Sequence, residues 1–378
     1  MRLHEYEAKR LFEAGGIPIP KGEIAWSPER AVEIAGAVGF PVAMKAQVLV
    51  GGRGRSGGIQ FGENPEEVRR GAEEILGAEI RGYRTEAVLV EEKLTVEREL
   101  YVGVTVDGAV GMPVLMASSE GGVAVEETVA KHPERIASLH ADVFKGVQPY
   151  QVRGLAKSLG LNGKEVIRVA DLLGRLCRVF MDYDGLISEI NPLVMTEGGA
   201  FVAADAVLEI DDAALHRHAH LREGALERIS DELEREARKV GVSYVNLDGD
   251  VGVICSGAGL GMASIDMIRA RAEPANFLET GGGITAELMA GALRVVLKKP
   301  NLRAVFLNLY GGINPIHEGA KGIIQVIQEE DVKIPVVAKA LGNFQEETWA
   351  ILESAGVKVV KEVQTDKAVQ VLFEMIGV

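Results

Sequence analysis

Apolar and polar positions follow two regimes along this chain. In the first 210 residues helical spacing and strand alternation are mixed. Leu3, Tyr6, Leu11 and Phe12 fall at helical spacing, and Gly15-Gly16 ends the helix they predict. Ile17-Pro18-Ile19-Pro20 reads as extended. Ser27-Pro28-Glu29 is an N-cap followed by proline at the first helical position, and Gly39 closes that helix. Asn64-Pro65-Glu66-Glu67 repeats the device, with Glu67 placed for a capping box. A strand is expected over 41–46 and a glycine-rich turn over 51–58. Alternation over 87–92, 99–106 and 111–117 predicts strands of one antiparallel sheet. A long helix over 164–181 leads into a hairpin over 186–210, turned at 196–199.

Residues 211–240 are charged and helical and read as a connector. Beyond them strand and helix alternate regularly, with strands over 251–255, 276–278, 304–309, 335–339 and 357–360. Such units build a parallel, doubly wound sheet covered on both faces. The domain boundary is expected near 240.

Composition narrows the function. Hydrophobic residues make up 47% and charged residues 25%, as in soluble globular proteins. A net charge of -14, 5% aromatics and the lack of a long basic tract argue against nucleic acid as a partner. No apolar run reaches the roughly 20 residues of a membrane helix. Met1-Arg2-Leu3-His4-Glu5 has no signal-peptide core, so a cytoplasmic location is expected. Cys177 and Cys255 form no C-x-x-C pair and read as buried, reduced thiols.

Three features carry candidate chemistry. Lys45 ends an apolar strand and is followed by Gly51-Gly52-Arg53-Gly54-Arg55-Ser56-Gly57-Gly58. Glycines let backbone amides approach a phosphate, and Lys45 and Arg53 supply charge. The same loop reads equally well as a mobile surface turn. Val88-Leu89-Val90-Glu91-Glu92-Lys93 is an apolar strand running into carboxylates, with Glu99 on the next strand. It could hold a base edge and ribose hydroxyls, but by itself it reads as a solvated strand end.

The third feature is Ser188-Glu189-Ile190-Asn191-Pro192-Leu193 with Asp205 on the returning arm. Strand side chains alternate, so Glu189 and Asn191 share a face. If the turn is the five residues 196–200, Met195 opposes Phe201 and Asn191 opposes Asp205. A four-residue turn sends them to opposite faces. The five-residue register brings an amide oxygen and a carboxylate together, which suits Mg2+ that keeps waters and takes its other ligands from phosphate. That reading is preferred to an ordinary polar hairpin face.

Lys45, the glycine-rich loop, Glu91, and Glu189-Ile190-Asn191-Pro192 with Asp205 resemble the nucleotide site of the ATP-grasp family. Leu3-His4-Glu5-Tyr6-Glu7-Ala8-Lys9, Glu273-Pro274-Ala275-Asn276-Phe277, Gly281-Gly282-Gly283 and Tyr310-Gly311-Gly312-Ile313 resemble, more narrowly, the beta subunits of the succinyl-CoA synthetase family. The resemblance runs in order along essentially the whole chain. It implies an α/β protein: an ATP-grasp domain of two α+β subdomains over 1–240, then a flavodoxin-like doubly wound domain over 241–378. It also implies succinate–CoA ligase activity with ATP/ADP or GTP/GDP. Lys45, Gly52, Arg53, Gly54, Glu91, Leu94 and Glu99 would contact nucleotide, Asn191 and Asp205 would hold Mg2+, and Glu189 would orient an incoming phosphohistidine. In that family the phosphohistidine and the coenzyme A site belong to an alpha subunit, the expected partner here.

Succinate is expected at Ser256, Gly311, Gly312, Ile313 and Asn314, in loops that follow strands of the second domain. Without the resemblance, these glycine clusters read equally as tight connections. Ser256 departs from the asparagine common in relatives, which puts a side-chain amide contact in doubt. His216, His218 and His220 alternate along the connector and read as solvated helix rather than a metal site. His317 is a weaker candidate for the phosphoacceptor, since the family places that residue on its other subunit. Two other readings stand beside the main one: a beta subunit of a related acyl-CoA ligase acting on malate, and a non-enzymatic nucleotide-sensing scaffold. The complete set Lys45, Glu189, Asn191 and Asp205 argues against the scaffold.

Overall fold

Local caps start the helices where sequence places them. Helix α1 (Glu5–Ala14) begins after His4 and ends at Gly15. The Ser27 hydroxyl accepts from Arg30 N at the start of α2 (Pro28–Val38), and Asn64 Oδ1 accepts from Glu67 N at the start of α3 (Pro65–Ile75). The structure, a computed structural model, describes residues 1–122, 135–222 and 224–378. The chain divides into two compact units, Met1–Arg222 and Glu223–Val378.

The first unit holds two main sheets. Strands β1 (Gly22–Ala25), β2 (Val42–Ala46), β3 (Ile59–Gly62) and β6 (Val88–Glu92) pair antiparallel in the order β1-β6-β2-β3. The short strands β4 (Glu79–Ile80) and β5 (Tyr83–Arg84) form a separate pair. Met44, Val88 and Val90 meet Ile34 of α2 and Val68 and Ile75 of α3 in one apolar core. The second sheet contains β7 (Val96–Asp107), β8 (Met112–Ser118), β9 (Ile136–His140), β10 (Gly185–Thr196), β11 (Phe201–Ala203) and β12 (Val207–Ile210). Its order is β11-β10-β7-β8-β9, with β12 also on β10. Helices α4 (Pro149–Ser158) and α5 (Lys164–Asp182) and the apolar side of α1 share its core, which includes Phe12, Leu100, Leu173 and Leu176. Alternation predicts the segment 87–92 in a sheet with 99–106 and 111–117, but β6 sits centrally in the four-stranded sheet. Alternation reports which faces a strand buries and carries no information about its neighbours.

The second unit opens with α6 (Glu232–Val240) and β13 (Ser243–Asn246). Then follow β14 (Val251–Cys255), α7 (Ala258–Ile268), β15 (Asn276–Glu279), α8 (Ala286–Leu297), β16 (Ala304–Gly311), α9 (Ile316–Glu329), β17 (Val336–Gly342), α10 (Gln345–Ser354), β18 (Lys358–Val360) and α11 (Thr365–Ile376). The order β13-β15-β14-β16-β17-β18 is parallel except at β13, an antiparallel edge that sequence did not reveal. Two cores, one on each face, make the sheet doubly wound. Ala237 of α6 is fully buried in one of them, so this helix belongs to the second unit. The division therefore falls after Arg222, inside the expected connector and earlier than 240.

Between β14 and β15 a side chain replaces part of the ladder. Buried Asn276 accepts from Val253 N–H at 3.0 Å and donates to Val253 O at 2.8 Å. Asn276→Ala leaves both backbone groups unpaired in the core. The expected loss is about 3 kcal/mol, measured by urea unfolding of the whole chain. An unchanged midpoint would show that the pairing is not needed.

Candidate functional site

In the first unit a cavity of about 890 Å3 collects every nucleotide, metal and catalytic residue expected there: Lys45, Gly52, Arg53, Gly54, Glu91, Leu94, Glu99, Glu189, Asn191 and Asp205. Elements from both sheets position them. Lys45 lies on β2, Glu91 on β6, Glu99 on β7, and Glu189 and Asn191 on β10. Pro20, Phe61 and Leu94 supply part of the apolar wall.

The glycine-rich loop is anchored within this structure. Gly52 and Gly57 take φ of 75° and 76°, in the left-handed region that glycine enters at little cost. Between them a short 3-10 turn spans Arg53–Ser56. Arg53 Nη1 donates to Ala46 O at 3.0 Å, and Arg81 Nη1 donates to Gly51 O at 2.7 Å. These bonds turn the Arg53 guanidinium into the unit.

There it enters a charge cluster. Arg53 Nη2 lies 2.9 Å from Asp205 Oδ1 and 2.9 Å from Glu5 Oε2. Lys45 Nζ lies 2.9 Å from Glu91 Oε2 and 3.1 Å from Glu5 Oε1. Lys9 Nζ lies 2.6 Å from Glu91 Oε1 and 2.9 Å from Glu5 Oε1. Three carboxylates (Glu5, Glu91, Asp205) thus balance three cations (Lys9, Lys45, Arg53). Such balance is what lets charges sit in a protein interior.

The ionisation of each member follows from its neighbours. Burial pushes the Glu5 carboxyl up, but Lys45, Lys9 and Arg53 outweigh it and hold the group well below the usual carboxylate range. Burial opposes charge on Lys45, yet Glu5, Glu91 and Asp205 raise its affinity for the proton; Glu5 and Asp205 do the same for Arg53. Asp205 is raised, by burial first and then by Glu5, against Arg53, Lys45 and Lys9.

The hairpin adopts the five-residue turn. Met195 pairs with Phe201 and Leu193 with Ala203, and Glu189 pairs with Val207 in the same register. Asn191 therefore stands opposite Asp205, between β11 and β12. Gly122 N–H donates to Asn191 Oδ1 at 2.8 Å. Gly122 has φ of +73°, and a Cβ there would lie 2.5 Å from Glu99 Oε2, so this glycine links the Asn191 and Glu99 positions. An amide oxygen and a carboxylate facing one cavity are hard oxygen donors, the set that Mg2+ takes with water and phosphate. Among the described residues no group of three His, Cys, Asp or Glu side chains is placed to hold a metal.

Two charged side chains of the cluster escaped the sequence reading. Glu5 and Lys9 are 3% and 2% exposed, on the side of α1 that also buries Ala8 and Phe12. A pair of opposite charges four residues apart within an apolar stripe was the signal available. Glu91, read as a possible acceptor for base or ribose, lines the cavity and turns its carboxylate to Lys9 and Lys45.

In the second unit the expected acid-binding residues gather at the carboxyl edge of the parallel sheet. Ser256 Oγ accepts from Tyr310 N–H at 2.7 Å and lies 3.1 Å from Tyr310 O. Its hydroxyl thus pins the end of β16. Gly311 tolerates no side chain, since a Cβ would meet Ile316 Cγ2 at 2.3 Å. Asn343 N–H donates to Gly311 O and Asn343 Nδ2 to Gly312 O, each at 2.8 Å, while Asn314 donates to Gly282 O. Ile313 stands almost fully exposed. The loop is held by backbone and side-chain hydrogen bonds and is open on its outer side.

His218 is not solvated: it is buried, with Nε2 2.8 Å from Asp184 Oδ2. A burying contact with the preceding helix–strand corner overrides the polar pattern of the segment. His317 lies in the first turn of α9, its ring 4.6 Å from that of Phe344. Both cysteines are buried and free, and burial pushes their thiols up to about 11 (Cys177) and about 12 (Cys255). Among the described residues no helix is long and apolar enough to cross a membrane.

The ATP-grasp domain family matches residues 2–195, and the CoA-ligase family matches residues 254–372. The chain is similar to succinate–CoA ligase [GDP-forming] subunit beta of Thermus thermophilus, 42% identical over 378 residues, covering 100% of this chain and 99% of that one. It is likewise similar to succinate–CoA ligase [ADP-forming] subunit beta of Natronomonas pharaonis, 43% identical over 366 residues and 96% of each chain. Among solved structures, ATP citrate lyase from Methanothrix soehngenii in complex with citrate and coenzyme A aligns with a TM-score of 0.79 over 99% of both chains. At 20% identity that likeness speaks for the fold alone.

Proposed function

Since this chain belongs to the family of succinate–CoA ligase beta subunits, we propose that it binds a nucleotide in the cavity of its first unit and works with an alpha subunit carrying a phosphohistidine. The reaction is succinyl-CoA plus phosphate plus ADP or GDP, reversibly giving succinate, coenzyme A and ATP or GTP. The observation that carries this reading is the convergence of Lys45, Arg53, Glu189, Asn191 and Asp205 on one cavity.

This chain's residues position phosphates and offset their charge. Lys45 and Arg53 present cations at the cavity wall, and the backbone of Gly52 and Gly54 lets a polyphosphate approach closely. Asn191 and Asp205 fit Mg2+, which when bound would neutralise oxygens around the transferred phosphoryl group. Glu189, two residues before Asn191 on the same strand, would orient the partner's imidazole for that transfer. Ser256 and the loop Gly311, Gly312, Ile313 and Asn314 would receive the carboxylate of succinate. The substrate interactions available at Ser256 differ from those of an asparagine, because its hydroxyl already holds the Tyr310 peptide.

The test is co-expression with the alpha subunit from the same source. The purified complex is incubated with γ-labelled ATP or GTP, and label on a histidine of the partner is measured. Coenzyme A consumption is then followed with succinate, malate and other dicarboxylic acids. Succinate should give the highest kcat/KM. Preference for malate would select the related acyl-CoA ligase, and a complex that binds nucleotide without labelling the partner would select the sensing scaffold.

A further inference from the structure

The charge cluster contains two groups to which the reaction assigns no part. Glu5 and Lys9 come from α1, a helix that otherwise fills the core. Glu5 is among the residues around the cavity and Lys9 is not. Both are almost wholly buried, a position that charged residues occupy only when their charge is matched.

Their contacts divide the work. Glu5 spans the two cations of the cavity wall, with Oε1 3.1 Å from Lys45 Nζ and Oε2 2.9 Å from Arg53 Nη2. Two like charges this close repel, and a carboxylate between them holds them side by side. Lys9 lies behind Glu91, 2.6 Å from Oε1 and 2.7 Å from Oε2, lies 2.9 Å from Glu5 Oε1, and also donates to Ala204 O at 2.9 Å, next to Asp205 in the chain. Glu91 Oε2 is shared between Lys9 and Lys45, which lies 2.9 Å from it. Without Lys9, Lys45 alone would face Glu91, and the cluster would hold three carboxylates against two cations.

We propose that Glu5 and Lys9 are positioning residues of the nucleotide site. Lys9 satisfies Glu91 from behind so that Lys45 stays available to a polyphosphate, and Glu5 keeps Lys45 and Arg53 aimed into one cavity. The first helix thus sets the charge and alignment of the phosphate cradle without touching the reacting atoms. The inference rests on the nucleotide-binding reading above and goes beyond it in naming what tunes the site.

The test uses the complex of this chain with its alpha subunit. Lys9→Met should raise the KM for nucleotide about tenfold, with the KM values for succinate and coenzyme A unchanged within twofold. Lys9→Arg, which keeps the charge, should recover most of the loss. The charge-balanced pair Glu5→Gln with Lys9→Met removes one charge of each sign and should fold even if Lys9→Met alone does not. Its nucleotide KM should return to within about threefold of wild type while kcat falls about tenfold, because Lys45 and Arg53 lose their bridge. A wild-type nucleotide KM in Lys9→Met, a common rise in all three KM values, or a wild-type kcat in the double variant overturns the proposal. A wild-type complex that binds no nucleotide defeats the functional reading itself, a distinguishable failure.

Discussion

Asp205→Asn removes nucleotide-dependent phosphorylation, by about 10³-fold, and leaves both assembly and thermal stability intact. The substitution keeps the shape of the side chain and deletes one negative charge opposite Asn191. The new side chain would still offer an amide oxygen, but the ligand pair then lacks the carboxylate that a divalent cation requires. Stability responds in the other direction. The Asp205 carboxyl is raised by burial and by Glu5, so the folded state holds its proton more tightly than the unfolded chain does. That contribution is present at acid pH and is lost as pH rises through the folded value, so at neutral pH the charged group is a cost. The amide removes that cost, and Arg53 keeps an acid partner in Glu5 at 2.9 Å, so no cation of the cluster is left unpaired. The melting temperature at neutral pH should equal or exceed that of wild type, and the difference should vanish below the ordinary aspartate range. Near-normal turnover would refute the metal assignment, and a fall of several degrees would refute the electrostatic account.

Lys45→Met loses activity and stability together. Lys45 is raised in its affinity for the proton because Glu5, Glu91 and Asp205 outweigh the penalty of burial. Its removal leaves Lys9 and Arg53 against three carboxylates in a region where water reaches little. Breaking a buried ion pair by deleting one partner costs about 3 kcal/mol, or roughly 6–12 °C for a unit of this size. Glu5 is held below the usual carboxylate range largely by Lys45, and that stabilisation, present above the ordinary glutamate value, shrinks as well. Acid unfolding should therefore begin at higher pH than in wild type. Nucleotide affinity should fall about 10²-fold, since one phosphate-facing cation is gone. Calorimetry and equilibrium nucleotide binding check the two effects separately. A stable but inactive Lys45→Met would show that Lys9 and Arg53 suffice to hold the cluster.

The contrast between these variants shows why part of the site was legible and part was not. Lys45, Arg53, Asn191 and Asp205 stood out because cations beside glycines and oxygens in a hairpin are unusual on their own strands. Counting residues through one turn, an operation local to the hairpin, left two registers, and the observed pairing of Met195 with Phe201 selects the one that sets Asn191 opposite Asp205. Glu5 and Lys9 did not stand out, because a Glu and a Lys four residues apart are common on solvent-facing helices. Only the placement of α1 shows that they face inward.

Sequence by itself determined the caps of α2 and α3, the regular strand–helix alternation of the second unit, and the family; it narrowed the hairpin to two registers, between which the paired strands decide. Each depends on residues close together along the chain or on a long ordered match. Tertiary structure decided that β6 joins β1 and β2 rather than β7, that α6 packs into the second unit, and that His218 is buried against Asp184. It also decided that the phosphate-facing cations are balanced by a carboxylate and an ammonium from the first helix. The physical reason is common to all four. Periodicity specifies which side of an element is buried, whereas the partner that buries it depends on contacts between residues far apart in the chain.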